Sequence, residues 1–246
     1  MALPEIVSRD RWIAARKELL VREKELTRER DALNADRRRL PMVRMMEDYV
    51  FDGPDGPVGL LDLFDGRRQL VMQHVMFGPD WDEPCPSCSA GLDELSPALL
   101  RHLRARETNF VAVSRAPFSM IAPVLARRGW SFPWYSSHRS TFNFDFHVSL
   151  DAGVAPVLYN YQGVDELRAA GKEWLFQQPN EQPAVSCFLR DGDAVFHTYS
   201  TFARGTDQLG GAYTYLDLTA LGRQEEWEEP KDRVDNARVG RPDFAE

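Results

Sequence analysis

Two cysteines three residues apart, Cys85 and Cys88, are the side chains of this sequence best suited to chemistry. They stand in the segment FGPDWDEPCPSCS. An apolar run, Leu70 to Phe77 (LVMQHVMF), precedes them and reads as a buried strand. Residues 86–106 follow and read as helix. Pro86 suits the first helical position, where its missing N–H costs nothing. Cys85 then becomes the N-cap, its sulfur facing free backbone N–H groups and the positive end of the helix dipole. Both favour thiolate over thiol, lower the pKa and make Cys85 the nucleophile. Cys88, one helical turn on, is within reach to close a disulfide and release a mixed-disulfide partner.

Competing uses of the pair are weaker. A structural zinc site needs four ligands, usually in two close pairs. The chain holds no second Cys-x-x-Cys, and its five histidines are scattered at His74, His102, His138, His147 and His197. No metal is expected. The remaining cysteine, Cys187, sits in the apolar run Val185 to Leu189 and reads as a buried, inert thiol. Three cysteines in 246 residues exclude a disulfide framework.

The elements that must hold this pair follow from the apolar pattern. Residues 1–40 carry eleven Lys/Arg and eight Asp/Glu, and the rest of the chain 19 against 30, so a basic front precedes an acidic body of net charge -11. Ser8 reads as an N-cap and Pro41 as a stop. Trp12, Leu19, Leu26, Leu33 and Leu40 recur every seven residues, as on a long amphipathic helix. Only one apolar column persists, whereas a good coiled coil needs two. Two uses stay open: packing along its own globular body, or a homodimer contact through residues 8–40. A straight helix of about 33 residues would span about 50 Å and overhang a body about 43 Å across, which gives the dimer some support.

Beyond Pro41 strands and helices alternate. Tyr49–Phe51 and Val58–Leu61 flank a Gly/Pro/Asp turn and read as a hairpin. Pro97 should interrupt the helix of residues 86–106, with a kink or a restart capped by Ser96. Asn109 to Ser114 reads as a strand, and residues 117–128 as a helix closed by Gly129. Val185–Leu189 and Ala194–Ser200 flank Asp191-Gly192-Asp193, another hairpin. Residues 149–182, with a helical stretch at 164–174, read as an insertion, and residues 223–246 as a charged tail. The fold class is α/β: a sandwich with a mixed central sheet behind a long N-terminal helix. The domains are residues 1–41, 42–222 and 223–246.

The segments LPMVRMMEDYVFDGPDG, HVMFGPDWDEPCPSCSAGLDEL, FVAVSRAP, GWSFPWYSS, FNFDF and HTYSTFARG occur in this order. Over about residues 5–223 the chain resembles the thioredoxin-like family catalogued as domain of unknown function 899. The resemblance implies a thioredoxin-like sandwich and a dithiol-disulfide oxidoreductase, with Cys85 nucleophilic and Cys88 resolving. It also implies a proline opposite the Cys pair, just before a strand. Pro183 occupies that place, with Pro133 as the rival. His74 lies where thioredoxins carry a buried carboxylate, so the resemblance gives it proton transfer to the resolving cysteine, against the plainer use of a satisfied core histidine. The motif departs from the usual Cys-Gly-Pro-Cys with Trp just before it: here Trp81 stands four residues ahead of Cys85.

Further candidates for substrate binding are Trp81, Arg115 at the C-terminal end of a strand, Trp134 in an aromatic cluster, and His197, Tyr199 and Arg204 in HTYSTFARG. In TFNFDFH the alternation puts Phe142, Phe144 and Phe146 on one face and Asn143, Asp145 and His147 on the other, as in a strand. Core packing or a groove wall would both explain it. No dinucleotide fingerprint or phosphate loop is present, so no bound organic cofactor is expected. The net charge of -8 disfavours nucleic acid. Without a secretory signal or membrane span, the expected location is the cytoplasm. The expected function is thioredoxin-fold disulfide exchange with a protein or small-molecule disulfide. The alternatives are a peroxiredoxin-like thiol peroxidase acting on peroxide, and a non-catalytic dimeric interaction protein.

Overall fold

The structure, a computed structural model, describes residues 4–209 and, beyond them, residues 211, 214, 216–221, 225–229 and 231. The charged tail expected over residues 223–246 lies largely outside these. The chain divides into two compact units. One holds Met1–Pro41 and Ala212–Gly240, the other Met42–Gly211 and Arg241–Glu246.

The first unit is built on helix α1, Arg9–Arg37. Ser8 caps it, accepting from the Arg11 N–H. The helix runs unbroken past Asn34 for 29 residues, about 44 Å. None of its residues is buried, and the seven-residue ladder from Trp12 to Leu40 is about half exposed. No helix among the described residues is long and apolar enough to cross a membrane.

The second unit opens with β1 (Val43–Arg44) and the expected hairpin of β2 (Val50–Gly53) and β3 (Gly56–Gly59). Next come β4 (Gln69–His74), α2 (Pro86–Asp93), α3 (Pro97–Arg104), β5 (Thr108–Ser114), α4 (Phe118–Arg128) and β6 (Trp134–Ser136). Pro97 breaks α2 from α3, and Ser96 caps the restart by accepting from the Leu99 N–H. Gly129 closes α4 at φ 66°, a conformation glycine adopts without strain. Then follow α5 (Phe142–Asp145), β7 (Ser149–Leu150), β8 (Leu158–Tyr159), β9 (Gln162–Gly163), α6 (Val164–Ala169), α7 (Trp174–Gln177), β10 (Asn180–Glu181), β11 (Ala184–Asp191) and β12 (Ala194–Phe202).

Eight strands form one mixed sheet in the order β1-β12-β11-β4-β5-β6-β2-β3. Its centre is thioredoxin-like: β4 and β5 run parallel, joined through the helices, and the β11–β12 hairpin returns antiparallel beside β4. All seven residues of β5 are buried, as a parallel strand covered on both faces requires. The two faces of the sheet build separate cores. Leu70 and Met72 of β4 join Phe51, Phe142 and Phe188 on one face. On the other, Val75, Phe77 and Cys88 pack with Leu92, Ile121 and Trp134 under the helices.

Two local expectations change. The segment TFNFDFH is not a strand: residues 142–145 form α5, and the Phe142 and Phe146 rings stack 4.4 Å apart. Residues four apart share one helical face, so the same spacing buries both rings without strand geometry. The helical stretch expected over 164–174 is two helices, α6 and α7, separated at Gly171, whose φ is 66°.

Candidate active site

The loop from Phe77 to Pro84 leaves the end of β4 and returns to it. The Cys85 N–H donates to the Met76 carbonyl at 2.9 Å, closing the excursion. Cys85 is the N-cap of α2, with extended ψ of 130°, and Pro86 begins the helix. Its carbonyl takes the first helical bond, from the Ser89 N–H at 3.0 Å. The Cys85 thiol is half-buried, Cys88 is buried, and both are free thiols.

The Cys88 S–H donates to the Cys85 sulfur, and this is the main reason the Cys85 pKa falls to about 5. Partial burial opposes the fall, while the Cys88 and Ser87 N–H groups and the Ser87 hydroxyl assist it. The same bond and deep burial push the Cys88 thiol well up. One cysteine is thus a thiolate near neutral pH and its neighbour a protonated reserve, as a nucleophile and a resolving thiol require. Cys187, by contrast, is pushed up to about 11 by burial alone.

Beside the loop lies a cleft of about 80 Å³, walled by Gly78, Pro79, Asp80 and Trp81 on one side and Pro179, Asn180 and Glu181 on the other, with Arg115, Leu150 and Asp151 between them. Trp81 approaches Gly78 closely: a Cβ there would stand 3.1 Å from Trp81 Nε1, and the indole would have to shift. Glu181 is only 6% exposed. Its Oε2 accepts from the Ser149 hydroxyl at 2.6 Å, and Arg115 Nε lies 3.5 Å from Oε1. The Arg115 guanidinium in turn stacks 4.7 Å from the Phe144 ring. Burial raises the Glu181 pKa to about 7, against the pull of Ser149, Arg115 and Asn143. Sequence reasoning missed Glu181, which stands in the polar run QQPNEQP. The one local signal is its place two residues ahead of Pro183.

The other candidates separate. Trp81, like Cys85, packs against the core under the helices, and with Arg115 it borders the cleft. Trp134 is buried, its indole N–H donating to Ser114 Oγ at 3.1 Å. Pro183 is half-buried and immediately precedes β11. Arg204, beyond β12, is paired with Asp207.

His74 is fully buried on the opposite face of the sheet from the cysteines, its ring 5.8 Å from Phe142 and 5.9 Å from Phe146. Alternation along β4 instead turns Gln73 toward α2, where its Nε2 would lie 3.9 Å from a Cβ on Gly91. His74 joins a chain of polar groups: His74 Nε2 to Ser186 Oγ at 2.8 Å, Ser186 to Ser200 at 2.8 Å, and Ser200 to His197 Nε2 at 2.7 Å. Burial lowers the His197 pKa, and a backbone hydrogen bond with Tyr199 opposes this. The atom left over, His74 Nδ1, has no partner. Burial, with His197 adding to it, lowers the His74 pKa to about 3, so it stays neutral.

A thioredoxin-like sheet with Cys-x-x-Cys at a helix start defines the class: a thioredoxin-fold protein. The chain belongs to the family described as "Bacterial protein of unknown function (DUF899)", whose model matches residues 1–238. No curated protein matches it. Among solved structures it is similar to a mutant of PrxQ from Xylella fastidiosa, with 11% identity over 68% of this chain and 91% of that one, TM-score 0.45. It is also similar to a mutant of peroxiredoxin Q from Xanthomonas campestris, at 14% identity over 68% and 94%, TM-score 0.44. Peroxidoxin BcpB from Mycobacterium tuberculosis follows at 14% identity over 69% and 91%, TM-score 0.44.

Proposed function

We propose that this protein is a thiol-disulfide oxidoreductase in which Cys85 attacks and Cys88 resolves. The observation that carries the reading is the place of Cys85 as N-cap of α2 with Cys88 one turn on; the Cys88 thiol is the main influence lowering the Cys85 pKa to about 5. The half-buried Cys85 attacks one sulfur of a disulfide and forms a mixed disulfide. Cys88, buried and protonated, loses its proton as it attacks the Cys85 sulfur and expels the second thiol. Trp81 and Arg115 line the cleft beside the loop that precedes Cys85, and Pro183 holds the substrate backbone. The role of His74 is to tie β4 to β11, since its ring serves the opposite core.

The test is to mix reduced protein separately with a model disulfide and with hydrogen peroxide and follow loss of the two thiols. The expected result is rapid, stoichiometric loss with the disulfide, abolished in Cys85→Ser, while Cys88→Ser stops at the mixed disulfide. Fast loss with peroxide alone would replace this reading by that of a thiol peroxidase passing through a sulfenic acid.

A further inference from the structure

Helix α1 has an apolar column and nothing packed on it. A helix in a globular protein draws most of its stability from an apolar stripe packed against a neighbour. None of the 29 residues of α1 is buried. Trp12 is 48% exposed, Leu19 47%, Leu26 61% and Leu33 49%. Single apolar residues on a surface need no explanation. Four in register over about 32 Å of one helix form a continuous stripe.

The charges beside the column decide what fits it. At seven residues to two turns, the positions three and four beyond each column residue lie about 50° to either side of it. One flank reads Ala15, Arg22, Glu29 and Asp36, the other Arg16, Glu23, Arg30 and Arg37. When two copies of α1 lie parallel with their columns facing, two-fold symmetry sets the first flank of each against the second flank of the other. The neighbours across the seam are then Arg22 and Glu23, Glu29 and Arg30, and Asp36 and Arg37. All three pairs are opposite in sign, and symmetry makes each twice. At the remaining level Ala15 faces Arg16. Among the described residues Arg22, Glu29 and Arg30 have no ion-pair partner in their own chain, whereas Glu23 is shared with Arg16 and Asp36 with Arg39.

Antiparallel pairing sets each flank against itself. With Trp12 facing Leu33 and Leu19 facing Leu26, the closest charges are Arg16 with Arg30, Glu23 with Glu23 and Arg22 with Arg22, all alike. A slide of one heptad brings Glu23 to Arg30 and Arg22 to Glu29. It also sets Arg16 against Arg37 and leaves Trp12 opposite Leu40, beyond the end of the helix.

We propose that α1 is a self-association surface on which a second copy of this chain packs in parallel, making a homodimer. The column calls for a partner with one apolar column at the same seven-residue spacing, and a copy of α1 supplies it. The parallel copy alone matches every charge along the seam. The seam has one apolar column where a full coiled coil has two, so the dimer is a dissociable one. It is independent of the chemistry at Cys85.

The experiment is sedimentation equilibrium of the reduced, full-length protein from about 1 to about 200 μM. Reductant excludes disulfide-linked dimers. The wild type should pass from monomer to dimer over this range. Leu26→Glu puts a carboxylate in the middle of the column and should hold the protein monomeric. Glu29→Arg and Arg30→Glu each turn two opposite pairs into like ones, and each should weaken the dimer about 10-fold. Neither removes an ion pair within the monomer. The double swap, Glu29→Arg with Arg30→Glu, makes both pairs opposite again and should return the dissociation constant to within about 2-fold of wild type. A monomer at every concentration would overturn the proposal and leave the column to another part of its own chain. A dimer indifferent to Leu26→Glu or to the single swaps would overturn it too, as would a double swap no tighter than the singles.

Discussion

Replacing Cys88 by alanine tests the physical basis of the reactive thiol. The Cys88 S–H is the largest influence lowering the Cys85 pKa to about 5. A hydrogen bond to a charged acceptor contributes about 1.5–3 kcal/mol, and one pKa unit corresponds to about 1.4 kcal/mol. Its loss should therefore raise the Cys85 pKa by about 1–2 units. The α2 N–H groups remain, so the value should stay below the unperturbed 8.5 or so. At pH 6 the thiolate fraction should fall from about nine-tenths to about a quarter for a shift of 1.5 units. The assay follows thiolate absorbance in the ultraviolet against pH. Cys187, pushed up to about 11, stays silent over the range that matters. The rate of alkylation at Cys85, measured on the same samples, should titrate with the same midpoint. A midpoint unchanged in Cys88→Ala would refute the inter-cysteine bond as the cause. A wild-type midpoint near 8.5 would refute the helix-start argument altogether.

The buried carboxyl and the polar chain each make a stability prediction. Glu181 has a folded pKa of about 7, raised above its unfolded value, so its contribution is fully present below the unfolded pKa of about 4.3 and is lost as pH rises through 7. Wild-type stability should therefore fall by up to about 3 kcal/mol between pH 4 and pH 8 relative to Glu181→Gln. Parallel urea melts of the two proteins across that range would contradict this. Ser186→Ala leaves His74 Nε2 and the Ser200 hydroxyl without their Ser186 partner in the core and should cost about 1–3 kcal/mol in chemical denaturation. A cost under about 0.5 kcal/mol would mean that the chain from His74 to His197 adds little to the joint between β4 and β11.

Local signals survived folding where a residue's own backbone chemistry decides its conformation. Pro86 started α2 and left Cys85 as its cap, Ser96 capped the restart at Pro97, and Gly129 closed α4. Both hairpins formed around their turns. The apolar pattern failed at Phe142, Phe144 and Phe146, because three aromatic residues at alternate positions suit a strand face and a short helix turning against a sheet equally well. Which one forms depends on the neighbours, here Tyr49, Phe51 and Phe188, which lie far away in sequence.

The same division runs through the candidate site. The candidate pair was legible because Cys85, Pro86 and Cys88 lie within four consecutive residues, and the field of a helix start acts within one turn. By itself the sequence determined the strand–helix frame and the place of the two cysteines at a helix start. Only the tertiary structure decided which face of the sheet His74 occupies, since a one-residue offset along β4 sends a side chain to the opposite core. Only the tertiary structure brought Glu181 to Arg115 and Ser149, because burial and charge pairing depend on residues more than thirty positions apart. Long-range packing sets the desolvation of a carboxyl, and no local pattern in QQPNEQP records it.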